Sequence, residues 1–163
     1  MDLRCKAYGM AAAVFVLDRL SKWIIETRVS FLDTLRVIPG FFAIVHSQNR
    51  GVAFSLFDGD ASSWRTALLV VFSLAAVIVI ARILWNVDRL DRLSWTGLGL
   101  ILGGAVGNVF DRIVWGRVTD FLDFYVGDYH WPTFNIADSA IVIGSGLLLV
   151  EMLWPKRQTA NVP

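Results

Sequence analysis

The sequence predicts an all-α integral membrane protein: four transmembrane helices, a small β-hairpin or sheet on the outer surface (a cradle), and an outer loop bearing one acid of a candidate site. Three observations carry that prediction. The 163-residue chain is 56% hydrophobic and only 18% charged, with mean hydropathy +0.59, whereas a soluble domain carries about 25% charged residues. Four runs approach the roughly 20 apolar residues needed to cross a bilayer: about 7–25, 64–85, 95–114 and 137–154. Trp64, Trp85, Trp95 and Trp154 stand at the ends of these runs, where interfacial aromatics are favoured.

Each element can be justified in order. The first run follows Arg4 and Lys6, as the core of a signal peptide would. Charged "DRLSKW" rather than a small-residue cleavage site comes after it, so it reads as a retained helix. The outer connection 27–63 contains a turn signal, Pro39-Gly40. Two apolar runs follow it, Phe41 to Val45 and Val52 to Phe57, separated by polar "HSQNRG", and read as a small hairpin or curved sheet. The second span, "WRTALLVVFSLAAVIVIARILW", leads through the short "NVDRLDRLS" turn to the third, "WTGLGLILGGAVGNVFDRIV". The second outer connection, 115–136, is rich in aromatics and mixes both periodicities, which leaves its structure open. Without repeats or low-complexity linkers, residues 1–163 read as one domain. Arg4, Lys6, Arg89, Arg92, Lys156 and Arg157 crowd the short segments on the side of the termini. Arg28, Arg36, Arg50 and Arg117 are spread over much longer connections opposite, so the positive-inside rule places both termini in the cytoplasm.

A net charge of +1 argues against a nucleic-acid partner. The lone Cys5 provides no disulfide framework. His46 and His130 lack metal-ligand spacing to any His or Cys, so no metal or cofactor is expected. There is no GxSxG elbow, and a Ser139–His130 pair is a weaker reading than the acids described next.

An ionisable side chain inside a bilayer costs about 2.5–3.5 kcal/mol on insertion scales, so each one asks for a reason. Asp18 and Lys22, spaced i, i+4 with the acid first, make a helical ion pair that either orients the first helix or meets a substrate. Gly99, Gly103 and Gly107 form a small-residue ridge for close helix packing and lead into Asp111. The neighbouring ridge runs Gly104, Asn108, Arg112, so Asn108, Asp111 and Arg112 emerge together at the outer end of the third span. Asn135 can cap the fourth helix, with Asp138 complementing its positive end. Capping does not explain a second acid, Asp120, among apolar neighbours in the preceding connection. Two poorly hydrated carboxylates brought together cannot easily both ionise. They share a proton, and one can take a proton from water while the other donates one.

These residues resemble lipoprotein signal peptidase, the signal peptidase II family, over nearly the whole chain. "DRLSKW" resembles its first-helix Asp…Lys motif, and "VIPGFFAIVHSQNRGVAFSLF" its outer-surface segment, with Asn49 and Gly51 as the Asn-x-Gly core. "GGAVGNVFDR" resembles its Gly-Asn…Asp-Arg motif, and "VTDF" and "FNIADS" its two aspartate motifs. The resemblance implies a bacterial inner-membrane aspartyl endopeptidase that removes the signal peptide of prolipoproteins just before the diacylglyceryl-modified cysteine. It implies catalytic Asp120 and Asp138; site residues Asn49, Gly51, Asn108, Arg112 and Asn135; and support from Asp18, Lys22 and Asp111. It also implies a monomer among membrane lipids, an active site near the outer face, and sensitivity to globomycin. The "HSQN" stretch is more polar than the family pattern, and Val52 stands where a smaller Ala is usual.

Two other classes compete. A small ion- or proton-coupled transporter subunit would use intramembrane acids and Arg112 as a relay, but its acids belong near mid-span. A purely structural membrane subunit leaves Asp120 and Asp138 without a role.

Overall fold

The computed structural model describes residues 3–49, 62–87 and 90–153. Their elements run α1 (Leu3–Arg28), β1 (Thr34–Ile38), β2 (Phe42–Asn49), α2 (Ser62–Trp85), α3 (Arg92–Trp115), β3 (Val118–Val126), β4 (Tyr129–His130) and α4 (Ile136–Leu153). All four predicted spans fall on helices, each displaced by no more than a turn or so. Three of these are long and apolar enough to cross a membrane: α2 from Ala67, α3 and α4. The first predicted span does not meet that composition, because Asp18, Arg19 and Lys22 interrupt its apolar stretch.

Helix α3 is the central element, touching α1, α2 and α4. Its glycines make this possible. A Cβ on Gly103 would sit 2.5 Å from the Ala11 carbonyl of α1, and one on Gly107 would sit 2.7 Å from Asp18 Oδ2. On another face, a Cβ on Gly97 would lie 2.7 Å from the Gly144 carbonyl of α4, and one on Gly104 would run into the Ala137 carbonyl. The predicted ridge of Gly99, Gly103 and Gly107 thus packs on α1, and the neighbouring row with Gly97 and Gly104 packs on α4. Leu84 of α2 and Val87, just after the helix, pack with Ala7, Ala11, Leu98 and Leu102. One face of α2 points outward: Val71, Phe72, Ile78 and Val79 are all more than half exposed. Such a continuous apolar surface suits hydrocarbon and would be a liability in water.

The strands form one antiparallel sheet in the order β1-β2-β3-β4. Pro39-Gly40 does make the first turn, with Gly40 at φ +80°, where a side chain would be strained. Phe42–Ile44 pair backward with β1 and, on the other edge, with Leu122–Phe124 of β3. The second run of the expected hairpin or curved sheet, Val52–Phe57, lies outside the described residues. The aromatic connection left open by the sequence supplies β3 and β4. Phe124 stacks on Phe42 and Phe134, which accounts for its aromatic content.

Candidate active site

The chain enters β3 from the end of α3 through Gly116, which caps the helix at φ +66° and donates its N–H to the Arg112 carbonyl. A register shift in β2 between Ile44 and Ser47 realigns the ladder so that Ser47 faces Asp120 and Asn49 faces Val118. Bulges of this kind re-aim side chains beside functional sites. The segment before α4 is stitched to the same strand: the Phe134 carbonyl accepts from the N–H groups of Phe121 and Leu122, at 3.0 and 2.9 Å. That stitching carries Asn135 to Asp120.

Asn135 is fully buried and holds both acids. Its Nδ2 donates to Asp120 Oδ1 at 2.7 Å, while its Oδ1 accepts from the Asp138 backbone N–H at 2.9 Å. Its own N–H donates to Asp138 Oδ2 at 3.4 Å. The exchange between Asn135 and Asp138 is a capping box. What the cap leaves over is directed at Asp120, so one asparagine bridges two carboxylates from different elements.

A second amide approaches from α3. Asn108 Nδ2 donates to Asp138 Oδ1 at 2.7 Å, and Asn108 Oδ1 accepts from Lys22 Nζ at 3.1 Å. Lys22 has no exposed surface and lies 2.7 Å from both Asp18 Oδ2 and Asp111 Oδ2. Asp18 uses its other oxygen to accept the Ala137 N–H of α4 at 2.9 Å, and Asp111 accepts from Arg19 at 2.5 Å. Two acids and two bases thus neutralise one another between α1 and α3, which is what lets them be buried at all. Arg112 donates to the Asn108 carbonyl at 3.2 Å, within electrostatic reach of Asp138 and Asp120.

Burial and the nearby Asp138 charge push the Asp120 carboxyl up to about 6, opposed by hydrogen bonds from Asn135 and Asn49 and by the Lys22 charge. A carboxyl so placed can hold or release a proton near neutral pH. Beside Asp138 opens an apolar cavity of about 390 Å³ lined by Trp131, Phe134, Ser139, Val142 and Ile143, a size suited to a bulky apolar side chain. Among the described residues, no three His, Cys, Asp or Glu side chains are grouped to hold a metal ion.

Asp18, Lys22, Asn49, Asn108, Asp111, Arg112, Asn135, Asp120 and Asp138 are therefore brought together or linked in one chain of contacts. Gly51 lies outside the described residues. The weaker Ser139–His130 reading finds both groups otherwise engaged: Ser139 donates to the Asn135 carbonyl at 2.9 Å, and His130 bonds Asp123 at 2.9 Å. Sequence reasoning missed Arg19. Its signal was its place inside "DRLSK", where a third charge had no stated partner until α3 was packed against α1.

Comparison with known proteins agrees with this geometry. Residues 10–154 match the family described as Signal peptidase (SPase) II. The lipoprotein signal peptidase of Solibacter usitatus (strain Ellin6076) is 66% identical over 161 residues, covering 99% of this chain and 98% of the relative. That of Nitratidesulfovibrio vulgaris (strain DP4) is 42% identical over 144 residues, covering 88% and 87%. A solved structure described as a bacterial membrane enzyme superposes with a TM-score of 0.79 at 28% identity, covering 97% of this chain and 92% of that one. None of this supports the ion- or proton-coupled transport reading. The chain belongs to the signal peptidase II family, and with it to the aspartic peptidases.

Proposed function

We propose that this protein is an aspartyl endopeptidase of the bacterial inner membrane that removes the signal peptide from prolipoproteins, cutting just before the diacylglyceryl-modified cysteine. The observation that carries the proposal is the Asn135 bridge, which holds Asp120 and Asp138 in one electrostatically coupled pair. In the pair, Asp120 carries the shared proton and Asp138 accepts a proton from the attacking water. Asp120 then protonates the scissile carbonyl or the leaving amine. The proton belongs to the pair, so both acids are required throughout. Asn108 and Asn135 orient the carboxylates, Arg112 and Asn49 face the peptide backbone, and Asp18, Lys22 and Asp111 hold Asn108 in place.

The membrane placement follows the same logic. Helix α1 crosses as a fourth span, because Asp18 and Lys22 have no exposed surface and spend their charge inside the bundle. Four crossings put both termini on one side, and the basic residues crowded there support a cytoplasmic location, with the sheet and aspartates at the outer face. A lipidated substrate arrives sideways from the bilayer, and its anchor fixes the depth of the scissile bond, which removes much of the cost of orientation. The whole chain works as one domain and as a monomer, surrounded by membrane lipids, and globomycin-type peptides would block the site. The test uses a lipopeptide spanning the cleavage junction, with and without its diacylglyceryl group. Cleavage of the lipidated form alone is expected; equal cleavage of both would remove the proposed substrate class.

A further inference from the structure

Across the β2–β3 ladder from the aspartates lies a second cavity, of about 230 Å³, lined by Glu26, Phe31, His46, Gln48, Trp115, Arg117 and Thr119. Strand alternation separates the two sites. Asp120 faces Asn135, while its neighbour Thr119, paired with Gln48, points to the opposite side. Thr119 donates to Glu26 Oε1 at 2.7 Å. His46 is buried and stacked on Phe31, with ring centroids 3.8 Å apart, and its Nδ1 bonds the Val29 carbonyl at 2.8 Å. With Nδ1–H donating, Nε2 of the neutral ring is an acceptor, and it has no partner among the described residues. An unsatisfied buried polar atom asks for a ligand.

The lining chemistry specifies one. Arg117 is a cationic fork for a phosphate. The Glu26 carboxylate, which lies 3.9 Å from Arg19 Nη2 and accepts from Thr119, retains acceptor capacity for a further N–H donor, and His46 Nε2 is an acceptor without a partner among the described residues. The volume falls below the ~300–1,000 Å³ typical of drug-sized ligands and suits a small headgroup. Trp115 sits at the outer end of α3, where interfacial aromatics meet headgroups. We infer that this cavity binds the headgroup of a zwitterionic aminophospholipid, with phosphate on Arg117 and primary ammonium between Glu26 and His46. This rests on the membrane placement proposed above, but not on the peptidase chemistry. The aromatic walls would also hold a choline, so the hydrogen-bond donors of the ammonium make the distinction.

The experiment is native mass spectrometry of the full-length protein in detergent with equimolar phosphatidylethanolamine, phosphatidylcholine and phosphatidylglycerol, repeated with soluble phosphoethanolamine. The expected result is about tenfold preferred retention of phosphatidylethanolamine, roughly the effect of one charge-assisted hydrogen bond. Glu26→Gln should abolish the preference over phosphatidylcholine, and Arg117→Gln should weaken both. Arg36→Gln on β1 should retain the three lipids in wild-type proportions, and so should the cleavage-deficient Asp138→Asn protein, so a failure of the peptidase reading would leave this result intact. Equal retention of the three lipids by wild type overturns the proposal even if a variant does not fold. A preference surviving both substitutions overturns it too, and equally tight binding of soluble phosphoethanolamine overturns the lipid as source.

Discussion

Lys22 Nζ donates to Asn108 Oδ1 over 3.1 Å, and this contact turns the Asn108 amide so that its Nδ2 meets Asp138 at 2.7 Å. An amide has one acceptor end and one donor end, so occupying the first determines where the second points. A lysine on α1 thereby sets a hydrogen bond to a proposed catalytic acid on α4.

Lys22→Met should therefore be costly in two ways. It leaves Asp18 and Asp111 buried with less compensation, a loss of about 3–5 kcal/mol by the behaviour of broken buried pairs. It also frees Asn108 to turn away from Asp138. The expected outcome is an unfolding midpoint lower by on the order of 10 °C, together with strongly reduced cleavage. A Lys22→Met protein of wild-type stability and activity would show the network to be incidental.

Asp120 makes a prediction about pH. Its carboxyl is raised from the ordinary 3.8 to about 6, so the folded protein binds more protons than the unfolded chain between those values. Stability therefore falls as pH rises through that window. The raised value corresponds to roughly 3 kcal/mol of destabilisation above pH 6. Asp120→Asn removes that strain while abolishing cleavage, so it should match or exceed wild-type thermal stability at about pH 8. The advantage should vanish near pH 4. Melting curves at the two pH values check it; a variant less stable than wild type by the same margin at both would contradict the sign.

The glycines of α3 differ in what they tolerate. Gly103→Ala places a methyl 2.5 Å from the Ala11 carbonyl and 2.7 Å from Val14 Cβ, forcing α1 away. A loss of about 1–3 kcal/mol is expected, as for overpacking elsewhere. Gly9→Ala meets nothing within 4 Å and should leave the unfolding midpoint unchanged or slightly higher. Equal midpoints for the two variants would argue against close α1–α3 packing.

Asp123 lies three residues from Asp120 but pairs with His130, at 2.9 Å, and not with Asn135. Asp123→Asn should keep most of the cleavage activity, as read from initial rates on the lipopeptide, while Asp120→Asn keeps none. The reverse pattern would assign the chemistry to the wrong acid.

Much of this was legible in the sequence because lipid makes charge expensive. Asp18, Lys22, Asn108 and Asp138 stood out against apolar neighbours for that reason, and the glycine spacing in α3 pointed to close helix contacts. The periodicity could not reveal which helix each glycine row serves, since adjacent four-residue rows on one helix look alike until partners are placed. The pairing of β2 with β3 was not read, for a related reason. Phe41–Val45 carries no mark of which distant strand it joins, and its partners in β3 lie 78 to 82 residues further along the chain. Arg19 was passed over because its partner, Asp111, lies 92 positions later. Long-range contacts were the part that local pattern could not supply.

The central claim is that two carboxylates bridged by Asn135 hydrolyse a lipoprotein precursor. Its most direct test is cleavage of a diacylglyceryl-modified prolipoprotein by purified wild type and by Asp138→Asn, with a chelator present throughout. The account predicts cleavage by wild type and none by a folded, membrane-inserted Asp138→Asn protein. Cleavage by both would reduce Asp138 to a helix cap and contradict the account.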